Sequence, residues 1–284
     1  MKRYRDIAGD GGSNIVGQVQ AQQARLRDRL ADIRAVVAVV SGKGGVGKSS
    51  VTANLAAAFA HEGARVGVLD ADLNGPSMAK MLGVRGAKLV VEGGAVAPPR
   101  NALGVKVMSM DLLLPDDAAP LTWDAPTQDE AHTWRGTMEA NALREFLADT
   151  DWGALDVLLL DLPPGTDRLL TVAGLVPSLT GIVVVTIPSD VSQLVVRRSL
   201  TVATQCKAPV LGLIENMAGM LRGPDVASLA RDANVPYLGK IPFDPALAEA
   251  ADEGASIITR CPSSEAAQAI TRIATQLRSA LSLQ

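Results

Sequence analysis

Short apolar runs rich in β-branched residues recur along the chain at Val36 to Val40, Arg65 to Leu69, Val105 to Met108, Leu155 to Leu160, Ile182 to Ile187, Val210 to Ile214 and Tyr237 to Ile241. They are apolar at successive positions rather than alternate ones, so both faces of each strand need burial, the condition inside a parallel sheet covered by helices. Between and after them lie stretches of helical spacing: Lys48 to His61, Met138 to Asp149, Val191 to Cys206, Pro224 to Asp232, Pro245 to Glu253 and Ser264 to Leu281. This alternation predicts an α/β domain, doubly wound, with a mostly parallel sheet of about 7–8 strands and helices on both faces.

The flanks are less regular. Residues 1 to about 14 are polar and glycine-rich and are expected to be mobile. From Ile15 to Arg34, Val19, Leu26, Leu30 and Ile33 fall along one side of a helix. The chain thus divides into a polar N-terminal extension with an amphipathic helix, residues 1–34, and a main domain over 35–284. That helix packs on its own domain or, alternatively, faces a partner or membrane. The last helix carries Ala266, Ile270, Ile273, Leu277 and Leu281 as one stripe that must cover something. Core packing is expected, because only Arg272 and Arg278 could serve a lipid surface. From Pro115 to Trp134 the run PDDAAPLTWDAPTQDEAHTW has no period and reads as a surface loop, with Asp129, Glu130 and His132 solvated rather than ligating metal.

Composition narrows the function classes. The 284 residues are 48% hydrophobic and 20% charged, with net charge −3 and no lysine-rich run, so nucleic acid is not an expected partner. No stretch approaches a membrane-spanning length and the N-terminus has no apolar signal core; a cytoplasmic location is expected, without membrane association. The two cysteines, Cys206 and Cys261, suit neither a disulfide framework nor a metal site built by one chain.

The chemistry concentrates in SGKGGVGKSS. Gly42, Gly47, Lys48 and Ser49 fit G-x-x-x-x-G-K-[ST] between an apolar strand and a helix, the context that a phosphate-binding loop demands. Across Gly42, Lys43, Gly44, Gly45, Val46, Gly47, Lys48, Ser49 and Ser50, backbone N–H groups can wrap phosphate oxygens at a helix N-terminus. Lys48 would reach the β- and γ-phosphates of a nucleotide such as ATP, and Ser49 would ligate Mg²⁺. In LDVLLLDLPPG, Asp161 is the first charge at the carboxyl end of its strand, placed to hold the metal shell, and the stiff turn Pro163 to Thr166 would sense the γ-phosphate. VGVLDADLNGPS adds Asp70 and Asp72. As strand residues two apart they would share a face, one holding the metal shell and the other orienting water, unless they cap the next helix.

GKGGVGKSS resembles the deviant Walker A motif of the MinD, ParA, ArsA and nitrogenase iron-protein superfamily. LDADLNGPSM, GVKVMSM, WRGTMEANALREFLADTDWG, DLPPGTD, GLIENMAG and LGKIPFDPALAEAADEG are similar to runs of the Mrp/ApbC ATPases, known as iron–sulfur cluster carriers, over residues 36 to 275 or so. The resemblance implies a homodimer closed across the nucleotide, in which Lys43 reaches the partner's phosphates. It implies further that Asp72 orients the attacking water, that Asp161 is the Walker B acid, that Asn216 hydrogen-bonds adenine, and that Pro242 and Phe243 lie near the base.

The sequence also departs from that pattern. Cluster-binding members carry C-x-x-C shortly after the ENM segment, whereas ENMAGMLRGPDVASLARDANVPYLGKIP contains no cysteine and is shorter. DLPPGTDR lacks the glycine usual before its final acid, and residues 115–133 look like an insertion. The expected protein is a slow, Mg-dependent dimeric ATPase. It would act on a protein client in iron–sulfur or related metallocofactor assembly, without a conventional bound cluster. The alternatives are a MinD- or ParA-like positioning switch and a nucleotide-binding scaffold without turnover.

Overall fold

The computed structural model describes residues 15–114, 128–176 and 179–283. Its strands are β1 (Ile33–Ser41), β2 (Val66–Asp70), β3 (Val90–Glu92), β4 (Ala95–Ala97), β5 (Lys106–Met108), β6 (Leu155–Asp161), β7 (Leu179–Thr186), β8 (Val210–Ala218) and β9 (Tyr237–Pro242). Seven form one sheet in the order β5-β2-β6-β1-β7-β8-β9, every pair parallel. The strand order reverses on either side of β1, so the loop after β1 opens where a doubly wound sheet binds its ligand.

The helices are α1 (Ile15–Leu30), α2 (Lys48–His61), α3 (Met78–Met81), α4 (Gln128–Asp149), α5 (Asp167–Leu175), α6 (Asp190–Gln205), α7 (Val226–Asp232), α8 (Pro245–Asp252), α9 (Ile257–Arg260) and α10 (Glu265–Ala280). They bury two separate apolar layers. Val37 and Val39 of β1 join Leu55 and Phe59 of α2 and Ile270 and Leu277 of α10 in one layer. Val36, Ala38 and Val40 of the same strand join Leu26 and Leu30 of α1, Leu143 and Leu147 of α4 and Val196 of α6 in the other. Successive side chains of a strand point to opposite faces, which is why these strands read as unbroken apolar runs.

Several boundaries correct the sequence reading. The first helix ends at Leu30 rather than Arg34, and Ile33 instead opens β1, in register with Leu155 of β6. Leu26 and Leu30 are buried, and Arg25 binds Asp149 at 2.9 Å while Arg29 donates to the Ala148 carbonyl at 3.3 Å, so α1 docks on α4. The stripe on α10 likewise faces inward. Residues 128–134 are helical, not loop, and α4 is ten residues longer at its start than expected; residues 1–14 and 115–127 lie outside the described residues. The β3–β4 hairpin was not anticipated. Its turn is Gly93–Gly94, with φ of 59° and 79°, the paired positive angles that tight hairpins need and glycine supplies. Among the described residues, no helix is long and apolar enough to cross a membrane.

Candidate nucleotide-binding site

The loop from Gly42 to Gly47 joins β1 to α2. Gly45 and Gly47 take φ of 78° and 77°, conformations that disfavour any other residue. Gly47 is also short of room, because a Cβ there would lie 2.3 Å from Asn216 Nδ2, and one on Gly42 would lie 2.5 Å from Val195 Cγ1. Gly45 opposes nothing within 4 Å, so the loop is packed from below and open above. The loop is fixed at its entrance by Ser41, whose hydroxyl donates to the Lys43 carbonyl at 3.1 Å and whose own carbonyl accepts from Gly165 N–H at 3.0 Å.

Behind the loop, Asp161 ends β6 fully buried. One carboxylate oxygen accepts from Lys48 Nζ and Ser49 Oγ, both at 2.6 Å, and the other accepts from Thr52 Oγ1 at 2.6 Å. Lys48 itself is buried, so this ion pair is sealed, and three charge-assisted bonds offset the desolvation of the two charges. The arrangement suits two states: Lys48 rests on Asp161 here, and a phosphate above the loop would offer it a second anion. Thr52 was missed from the sequence, although it lies one helical turn beyond Lys48 on the same face.

Asp70 ends β2, in register with Asp161. One oxygen accepts from the backbone N–H groups of Ser77 at 2.8 Å and Met78 at 3.0 Å and from Ser109 Oγ at 3.1 Å. Burial and the neighbouring Asp161 charge push its carboxyl up to about 7, against the pull of those backbone donors and of Lys48. These donors tie that oxygen to the start of α3, as in the capping alternative. Asp72 is not a strand residue: β2 stops at Asp70, so the two acids do not share a strand face. Asp72 N–H donates to Asp70 Oδ1 at 3.2 Å, and half-buried Asp72 places Oδ1 3.3 Å from Gly75 N.

Lys43 is half-buried and makes no ion pair among the described residues. Asn216, buried at the end of β8, donates from Nδ2 to the Val46 carbonyl at 2.9 Å and so props the phosphate loop. Pro242 ends β9. Phe243 follows with its ring half exposed and its N–H on the Ala218 carbonyl at 2.9 Å, so both stand at the loop's edge of the sheet, one strand beyond Asn216. A further group escaped sequence reasoning. Glu139 of α4, 4% exposed, accepts from Asn74 Nδ2 at 2.9 Å and pairs with Arg168 of α5. Only the tertiary fold brings these three together.

The two thiols of the chain lie apart. Cys206 packs on the α1–α4 side of the sheet and Cys261 on the α2–α10 side. Burial pushes the Cys206 thiol up, away from the thiolate that iron requires. Among the described residues no three His, Cys, Asp or Glu side chains are grouped to hold a metal ion. Mg²⁺ makes a smaller demand, one or two carboxylates completed by phosphate and water, and the hard oxygens of Ser49 and Asp161 fit it.

Residues 32–278 match the family described as ParA: NUBPL iron-transfer P-loop NTPase. An iron-sulfur cluster carrier protein of Saccharolobus solfataricus is 40% identical over 269 residues, covering 90% of this chain and 87% of that protein. A nucleotide-binding protein of Archaeoglobus fulgidus, solved in complex with ADP, is 35% identical with a TM-score of 0.68, covering 82% of this chain and 91% of that one. The cell division ATPase MinD of Pyrococcus furiosus shares the fold, with a TM-score of 0.63 at 23% identity, covering 87% and 99%.

Proposed function

The chain belongs to the ParA/NUBPL family of iron-transfer P-loop NTPases, and from that premise we propose that it is a slow, Mg-dependent, homodimeric ATPase. It acts in the cytoplasm as a carrier or chaperone for a protein client in iron–sulfur or related metallocofactor assembly. The observation that carries this reading is the sealed contact of Lys48, Ser49 and Thr52 with Asp161 beneath an open glycine loop. The amides from Gly42 to Ser50 bind the phosphates, and Lys48 leaves Asp161 for the β- and γ-phosphates. Ser49 and Asp161 would hold Mg²⁺, which when bound would neutralise phosphate charge. Asp72 orients the attacking water, Asn216 and the Pro242–Phe243 turn flank the base, and Lys43 completes the partner's site.

Lys43→Ala tests the dimeric part. ADP affinity is expected to stay within about twofold while ATP-dependent dimerisation, followed by light scattering with a slowly hydrolysed analogue, is lost. Unchanged dimerisation would reduce Lys43 to a surface lysine. The cargo part is tested by anaerobic reconstitution with iron and sulfide. No stable absorbance near ~400 nm and no stoichiometric iron are expected, since a dimer offers two like thiolates where a [4Fe–4S] cluster takes four; a well-formed cluster spectrum would overturn this. The positioning-switch alternative draws on amphipathic termini, and Leu26 and Leu30 of α1 and the stripe of α10 are engaged in the core.

A further inference from the structure

We propose that Glu139 is a positioning residue that couples the loop carrying Asp72 to the loop beside the γ-phosphate, an inference that rests on the ATPase reading. Asn74 lies two residues beyond Asp72 in a turn closed by Gly75 N–H on the Asp72 carbonyl at 3.3 Å. Arg168 lies two residues beyond Thr166, in the first turn of α5, directly after the Pro163–Thr166 segment. Glu139 joins them, taking the Asn74 amide on one carboxylate oxygen and the Arg168 guanidinium on the other.

The contacts close a circuit around the site. Gly165 is tied to Ser41 at the root of the phosphate loop, Arg168 to Glu139, Glu139 to Asn74, and Asp72 to Asp70. A displacement of the Pro163–Thr166 turn by a γ-phosphate therefore reaches Asp72 by a second route besides the strand ends. The carboxylate is suited to this task because it is buried. A buried carboxylate holds its two donors in a fixed geometry, whereas an exposed one exchanges them with water. Arg168 is the partner of choice for the same reason, since its planar fork fixes direction as well as distance.

The test separates positioning from mere stability and from the ATPase reading. Glu139→Gln keeps the shape and an acceptor for Asn74 but removes the ion pair; Arg168→Lys keeps the charge and loses the fork. Glu139→Gln and Arg168→Ala are each expected to lower kcat about tenfold or more while KM stays within about twofold. The double variant should fall no further than either single one, because both cut one linkage, and Arg168→Lys should recover part of the rate. Additive losses, or KM rising in step with falling kcat, would overturn the proposal. A readout independent of turnover is amide exchange with a slowly hydrolysed ATP analogue, set against ADP. The analogue, which carries the γ-phosphate, should slow exchange over residues 72–75 in the wild type beyond any effect of ADP, and no longer do so in Glu139→Gln. If the wild type hydrolyses no ATP, the ATPase reading fails and this arm still decides. Analogue-dependent slowing retained in the variant would refute the coupling.

Discussion

Asp72→Ala should lower ATP turnover about 10²–10⁴-fold, the usual worth of a group that positions or takes a proton from the nucleophile, and leave ADP affinity unchanged within about twofold. The separation follows from geometry. Among the described residues Asp72 supplies no bond to the phosphate loop, and its carboxylate meets its own turn at Gly75 N. Its removal takes nothing from the sealed Lys48–Asp161 pair or from the loop glycines. Phosphate release under saturating ATP, set beside ADP titration calorimetry, measures the two effects. Equal rates for the variant and the wild type would mean that Asp72 has no hydrolytic role, and a parallel loss of ADP affinity would place Asp72 in binding rather than hydrolysis.

Asp161→Ala should act on stability first. It strands the buried Lys48 ammonium, takes the acceptor from Ser49 and leaves the Thr52 hydroxyl with the Lys48 carbonyl alone, and breaking a buried pair from one side costs about 3–5 kcal/mol. The lower end is expected, because loss of the Asp161 charge also relieves Asp70, whose carboxyl that charge helps to push up. Asp161→Asn keeps an acceptor for Thr52 and should lose roughly half as much. Urea unfolding at constant m-value would show it. A variant as stable as the wild type would mean that Lys48 finds another partner and that the resting pair is dispensable.

The fold was legible because both faces of the strands are covered, which prints β1, β6 and β7 as uninterrupted apolar runs. The phosphate loop was legible because its residues are adjacent in sequence and their spacing is dictated by phosphate. Asp161 followed from standing first after four apolar positions. Asp72 was placed on a strand that had already ended, since a period-two argument carries no information about where a ladder stops. Thr52 was readable from helical spacing and was passed over. The Asn74–Glu139–Arg168 contact was not readable at all: three polar residues drawn from three separate segments leave no local pattern. The length of α4 was misjudged because proline, acids and threonine in the preceding run mask a helix start inside a polar stretch.

The division of the core into two layers has a consequence for oxidation. A disulfide needs its Cα atoms within about 7 Å, and Cys206 and Cys261 are held by opposite layers with the sheet between them. Each folded chain therefore keeps both sulfurs single however oxidising its surroundings, and any covalent bridge formed by the native protein must join two molecules.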